Sequence, residues 1–435
     1  MPFVKTYWIF FCIAIHVTSS QTVEDKVTYN GSQVWQVELQ GAEDMAYIQK
    51  LHDNKDISIW TLTPTRADFL VPDRLKLKVH RRLVAKHLNH TVLILDVQRR
   101  IDLNTQQVVP ALWTENALRD GHRLSWKKFP TLDIIEEYYN FLAEDYSSLC
   151  RVQTIGYTAE NRTIKMINIT DGNPKNKIIL ITGGSHAREW VSVTSALYIL
   201  NNIVTKFDTQ SSYIKNKNWL IIPVLNPDGY VYTHTVDRLW RKNRRNFKRC
   251  KGVDINRNFD SDWGIVGIKE SDECKITYSG PYAFSERETK ALRHLVGSSV
   301  RKPVAMLDLH SYGNLILFPW SARTQPTEDY NKHVEVAELM RSAIFKSSKE
   351  NYTYGATYHK IYPATGTFLD WAYSKGVVHS YVIEIKDKGK LGFLIPPKEI
   401  EDTGKELFAA ARSLAKYVNH HKRQIESKDA RKTWF

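Results

Sequence analysis

Two rhythms of apolar and polar positions divide the chain. Between Val34 and Val97 the apolar stretches are short. Val34 to Leu39 and Ile57 to Leu62 read as strands, Asp68 to Val71 as an extended piece and Val92 to Val97 as a further strand; Ala42 to His52 and Val79 to Leu88 repeat at helical spacing. The order β-α-β-β-α-β predicts a small α+β unit of the ferredoxin-like, open-sandwich kind. From Trp126 the rhythm changes to continuous apolar runs separated by helical segments. Strands are expected at Ile164 to Asn168, Ile178 to Thr182, Trp219 to Pro223, Pro303 to Leu309, Leu315 to Phe318 and Ser380 to Ile385. Helices are expected at Leu132 to Leu142, Val191 to Val204, Val334 to Ser347 and Ile400 to Val418. Runs apolar on both faces suit central strands covered on both sides. The second unit is therefore expected to be α/β, a mixed, mostly parallel twisted sheet with helices on both faces.

The ends and the connector add processing signals. Residues 1 to 20 combine Lys5, an apolar region from Tyr7 to Val17 and the small residues Thr18, Ser19 and Ser20, which predicts a secretory signal peptide and a mature start near Gln21. Residues 98 to 125 are mixed in pattern, and Arg119 and Arg123 are candidate cleavage points for a trypsin-like protease in an exposed connector. After loss of Cys12 with the signal, Cys150, Cys250 and Cys274 remain. Cys250 and Cys274 close a short loop and are the expected disulfide. Cys150 is left as a buried free thiol or an intermolecular partner. Sequons at Asn30, Asn89, Asn161, Asn168 and Asn351 offer glycan sites in a secreted chain.

The formal charge is +14, and much of it lies in the run from Arg238 to Lys251. Secretion argues against a nucleic-acid partner, so a solvated basic loop with one or two functional arginines is expected.

Candidate chemistry begins at Gly183-Gly184-Ser185-His186-Ala187-Arg188-Glu189, between a strand and a helix. The glycines permit a sharp turn, and the His-x-x-Glu spacing can point an imidazole and a carboxylate the same way. His310 ends the run Met306-Leu307-Asp308-Leu309, where α/β sheets place their sites. Two histidines and a glutamate form a zinc ligand set with a fourth position left over. Glu384 lies inside the apolar run Tyr381 to Ile385, where an unpaired carboxylate is costly to bury. It is either an ion-pair partner of a lysine or a general base. Asn256-Arg257 can bind a carboxylate through a guanidinium fork and an amide.

Taken together, Trp126 to Val418 resembles a zinc metallocarboxypeptidase of the pancreatic A/B type, and the small unit before it resembles that family's inhibitory activation segment. The resemblance implies domains at 21–119 (pro) and 120–435 (catalytic). It implies one zinc ion per chain on His186, Glu189 and His310. Glu384 would be the base, Arg241 the arginine that polarises the scissile carbonyl, and Asn256 with Arg257 the grip on the substrate's terminal carboxylate. Tyr362 would close over that carboxylate, Arg188 would serve a substrate subsite and Asp254 would orient a ligand imidazole.

Leu369 stands where basic-specific members carry an aspartate, and Leu317, Ala364 and Val382 add apolar wall, with Thr357 and Ser321 beside them. Such a pocket rejects Lys and Arg, whose charge would be desolvated unpaired. Aromatic or aliphatic C-terminal residues are therefore expected. Asp370 matches a position common to both types and is not the selector. The resemblance also implies a secreted monomeric zymogen acting on peptide C-termini, with no nucleic acid or membrane as partner. The competing readings are a catalytically silent protein or a polyanion-binding protein on the same fold.

Overall fold

The computed structural model describes residues 24–105, 121–265, 270–297, 302–387 and 389–432. The signal-like segment 1–20 and Arg119 lie outside them. In the small domain, β1 (Gln33–Glu38), β2 (Ser58–Thr63), β3 (Arg66–Val71) and β4 (His90–Ile94) form an antiparallel sheet of order β2-β3-β1-β4. α1 (Ala42–Asp53) and α2 (Lys76–Val84) supply the expected helices. Alternation along the strands sorts the side chains into two faces. Trp35, Val37, Ala67, Phe69 and Val71 pack under the helices with Ile48, Leu51, Val79 and Leu83. Val34, Trp60, Leu70 and Ile94 point the other way. They share a core with Leu239, Tyr312, Phe393 and Leu394 of the large domain. α3 (Val97–Thr105), which the mixed sequence pattern does not reveal, adds Val97 and Ile101 to that shared core.

The large domain is built on eight strands: β5 (Cys150–Tyr157), β6 (Thr163–Ile169), β7 (Lys177–Thr182), β8 (Lys217–Ile222), β9 (Ala305–Ser311), β10 (Leu315–Phe318), β11 (Thr353–Ala356) and β12 (His379–Ile385). Their order is β11-β10-β12-β9-β7-β8-β6-β5. The central strands β12, β9, β7 and β8 run parallel, while β6, β5 and β10 add antiparallel pairs. β5 and β11 are absent from the apolar pattern because they lie at the sheet edges, where water replaces packing. One face is covered by α4 (Leu132–Asp145), α5 (Trp190–Thr205), α8 (Tyr330–Ser348) and α10 (Ile400–Lys432), with α6 (Pro227–Thr235) against α4. α7 (Arg287–Leu292) and α9 (Phe368–Ser374) lie on the opposite face. α10 runs past Val418, where the apolar periodicity stops.

Strand parity decides where chemistry can sit. Ile179 and Ile181, Leu307 and Leu309, and Tyr381, Ile383 and Ile385 all face the first helix layer. Thr182, Asp308, His310, Val382 and Glu384 therefore share the other face. The chain leaves β7 for β8 on one side and later returns to β9 on the other, so the ends of β7 and β9 are a topological switch point, where such sheets open a crevice. Cys250 and Cys274 are bonded, with Cα atoms 5.1 Å apart. Cys150 is a buried free thiol, and burial pushes its pKa up to about 12.

Candidate metal centre and substrate cavity

At the end of β7 the backbone turns through Gly183 and Gly184. Gly184 has φ +64°, and a Cβ there would meet Val193 Cγ2 at 2.9 Å. That turn delivers His186, and Glu189 is the residue that caps α5. His310 comes from β9, directly beside Glu384 of β12 in the parallel register.

The side chains converge. His186 Nδ1 lies 2.9 Å from Glu189 Oε1, and His310 Nδ1 lies 3.0 Å from both Glu189 Oε2 and His186 Nδ1. The far nitrogens are anchored: His186 Nε2 is 3.0 Å from Asp254 Oδ1 and His310 Nε2 is 2.9 Å from Asp308 Oδ2. A carboxylate on Nε2 holds the proton there and leaves the Nδ1 lone pair free to bind a metal. Donors about 2.1 Å from one tetrahedral ion stand about 3.4 Å apart, and one ligand atom from each of the three residues lies within 4.8 Å of the others. The charge balance points the same way: Glu189, Asp254 and Asp308 are buried against the two imidazoles, with Arg241 2.8 Å from Asp254 and 3.9 Å from Glu189, and buried anions require compensation. The donor set fits a zinc ion.

Asp308 is the residue that sequence reasoning passed over. It lies two positions before His310 on the same face, and its other oxygen accepts from Thr182 Oγ1 at 2.6 Å. The signal was available: an acidic residue inside an apolar run, as at Glu384.

Asp254 binds a second partner. Arg241 donates to its Oδ2 from Nε at 3.0 Å and from Nη2 at 2.8 Å. Glu384 is half-buried, and among the described residues no lysine or arginine comes within ion-pair distance of it. Burial pushes its carboxyl up to about 7, with His310 opposing and Glu189 reinforcing the shift. Burial depresses Arg188 to about 10, and neighbouring Arg241 adds to the effect.

A cavity of about 700 Å³ opens over this group. Arg188, Arg241, Asn256, Arg257, Tyr362 and Glu384 all line it, as do the wall residues Leu317, Ser321, Thr357, Ala364, Leu369 and Val382. Arg257 Nη2 donates to Tyr362 Oη at 2.9 Å, and Asn256 is fixed by the Phe368 amide, which donates to its Oδ1 at 2.9 Å. Asp370 is turned away from the cavity chemistry: its oxygens accept from the Ser321 and Ala322 amides and the Ser321 hydroxyl. The small domain forms the roof, with Trp60, Thr61, Thr63 and Arg66 among the lining. Asp68 of the small domain accepts from Tyr312 Oη at 3.1 Å, and Tyr312 follows His310 by two residues.

The basic run departs from a solvated loop. Arg238, Lys242 and Arg244 are buried, because aromatic rings and carbonyls take up their charge. Arg238 lies 3.7 Å from the centre of the Trp190 ring and donates to the Arg188 and Phe393 carbonyls.

Comparison with known proteins identifies the family. The zinc carboxypeptidase family matches residues 135–410, and the carboxypeptidase activation peptide matches residues 35–104. The chain belongs to the zinc carboxypeptidases and carries their activation-peptide domain. Rat carboxypeptidase B is 31% identical over 90% of this chain and 95% of its own length. Human mast cell carboxypeptidase A is 28% identical over 91% of this chain and 95% of its own. The crystal structure of thrombin activatable fibrinolysis inhibitor superposes with a TM-score of 0.80 at 26% identity, covering 90% of this chain and 99% of that one. The protein is thus a metallocarboxypeptidase, a hydrolase with zinc as cofactor, made with an activation peptide and acting on peptides. Among the described residues no helix is long and apolar enough to cross a membrane.

Proposed function

We propose that the protein is a secreted, monomeric zymogen that, once cleaved, removes aromatic or aliphatic residues from peptide C-termini. The observation that carries this is the pairing, within one cavity, of the His186–Glu189–His310 group with the Arg257–Tyr362 clamp and an apolar wall. A zinc ion on those three ligands supplies a Lewis acid that polarises the scissile carbonyl and acidifies a water molecule. Arg257, with Asn256 and Tyr362, holds the terminal carboxylate by charge-assisted hydrogen bonds, which confines hydrolysis to the last peptide bond. Glu384 takes a proton from the attacking water and returns it to the leaving nitrogen. Arg241, held by Asp254, stabilises the developing oxyanion, and Arg188 steadies the peptide upstream.

Leu369, Leu317 and Val382 support the side-chain preference, and Asp370 is already occupied by Ser321 and Ala322. Among the described residues, the wall formed by Leu317, Ala364, Leu369 and Val382 offers a Lys or Arg side chain no carboxylate. Domain limits of 21–119 and 120–435 follow, with processing at Arg119. Arg123 is the poorer site, since its amide donates to Glu137 Oε1 at 2.9 Å and its guanidinium to Glu137 and Asp133 of the large domain.

The test is to treat the secreted protein with trypsin and follow release of C-terminal Phe, Leu, Lys and Arg from N-blocked peptides, with and without a zinc chelator. Phe and Leu should be released and the chelator should stop it. Preferential release of Lys or Arg would overturn the pocket assignment. Glu384→Gln should lower kcat by about 10²–10⁴-fold while zinc stays bound; loss of zinc instead would remove Glu384 from the role of base.

A further inference from the structure

The basic run Arg238 to Lys251 forms part of the wall of a second cavity, of about 480 Å³, beside the first. Arg188 and Arg241 line both, so the second cavity leads away from the position of the scissile bond. An acidic side chain already sits in it. Lys251 Nζ donates to Glu24 Oε1, and Arg244 Nη2 lies 3.3 and 3.4 Å from the two Glu24 oxygens. Arg244 is buried and pre-oriented: its guanidinium lies 3.5 Å from the centre of the Tyr232 ring and 4.8 Å from that of Trp240. Its Nε has no hydrogen-bond partner, with Glu160 Oε1 at 3.7 Å.

Three other cations of the run are engaged elsewhere. Arg245 pairs with Glu286 at 2.9 Å, Arg249 with Asp272 at 2.8 Å, and Lys242 Nζ donates to the Glu273 carbonyl at 2.8 Å. Those partners stay when the activation peptide is cleaved off. Glu24 precedes β1 and leaves with it.

We infer that Arg244 and Lys251 form a subsite for an acidic side chain of the peptide substrate, upstream of the scissile bond, which Glu24 fills in the uncleaved chain. The assignment rests on the carboxypeptidase reading above. Ser58, Trp60 and Leu70 of the activation domain close the cavity in the uncleaved chain; the floor that remains, Arg244 and Lys251 beside the Tyr232 and Trp240 rings and next to Arg188 and Arg241, suits one carboxylate on an extended peptide. It does not suit the open row of cations that a polyanionic chain requires. Removal of Glu24 uncovers Lys251 and leaves Arg244 only the looser Glu160 pair at 3.7 Å, with its Nη2 free, so activation both opens the cleft and creates the preference.

The experiment uses the trypsin-processed protein and N-blocked peptides ending in Phe. Each carries a single Glu, Ala or Lys at one position between the third and sixth residue from the C-terminus; the all-alanine peptide is the reference. Glu at one position should raise kcat/KM about 3–10-fold over Ala, the range of a partly desolvated charge pair, and high salt should shrink the gain. Arg244→Gln should abolish it. Lys251 is exposed and tolerates change, so Lys251→Glu should reverse the order and favour Lys. Equal rates across the series, or a Glu advantage that survives both variants, overturns the subsite. Retention on a sulfated polysaccharide that depends on Arg244 and Lys251, without a Glu advantage, overturns it in favour of a polyanion surface. Failure to cleave the all-alanine peptide sinks the carboxypeptidase reading instead, so the two failures are distinguishable.

Discussion

At the scale of single residues, the site depends on what stands behind each ligand. His186 and His310 present the same nitrogen to the metal position because Asp254 and Asp308 hold the opposite nitrogen of each ring. Replacing Asp308 by Asn should weaken zinc binding about 10–100-fold, measured by competition with a chromogenic chelator, with little change in Tm of the metal-free protein. Unchanged affinity would reduce Asp308 to a partner of Thr182. Residue types and spacing offered His186, Glu189, His310 and Glu384 as candidates, while Tyr362 and the roles of Arg241, Asn256 and Arg257 came only with the family resemblance. Asp308 shows in the sequence only as an acid inside an apolar run; its partner Thr182 is set by β7 lying beside β9.

Among the elements, the short helix α7 carries a buried acid outside the catalytic group. Asn243 Nδ2 donates to Glu286 at 2.8 Å and Glu288 at 3.1 Å, and Glu288 Oε1 has no partner. Burial pushes Glu288 up to about 8, and nearby Glu286 adds to the rise. The folded state therefore holds a proton that the unfolded chain releases near its ordinary value of 4.5. The stabilisation is full below that value and is lost as pH rises to about 8, at no more than about 1.4 kcal/mol per pH unit. Glu288→Gln should flatten this slope: the fall in Tm between pH 5 and pH 8 should be smaller than in the parent. An equal fall in both proteins would show that Glu288 is ionised when folded. The sequence pattern located the central strands and long helices but lost β5, β11 and α3. Edge strands and a helix packed against a second domain do not carry the apolar stripe that the pattern detects.

For the whole molecule, the two domains form a joint structure. The activation-peptide domain turns one sheet face to its own helices and the other to Leu239, Tyr312, Phe393 and Leu394. Asn104 is the polar pin: its Nδ2 donates to the Ile395 carbonyl at 2.7 Å and its Oδ1 accepts from Arg238 Nε at 3.1 Å. Both contacts are buried, so Asn104→Ala leaves two buried polar groups unpaired, at a cost of about 1–3 kcal/mol each. The uncleaved variant should hydrolyse a small blocked dipeptide at least about fivefold faster than the uncleaved parent. Equal residual rates would place the grip of the activation domain elsewhere.

The sequence by itself determined the order of domains, the central strands and the chemical inventory. Those are written in apolar periodicity and in polar residues placed where burial would otherwise be costly. Only the tertiary structure decided which groups meet. Parity put Thr182, Asp308, His310 and Glu384 on one face, and the strand order set β7 against β9. Folding also buried part of a run that reads as solvated, because Trp190 comes from elsewhere in the chain to receive the Arg238 guanidinium and the Tyr232 and Trp240 rings close on that of Arg244. A linear pattern records what a residue can do. Contact between distant segments selects its partner, and no local period encodes that choice.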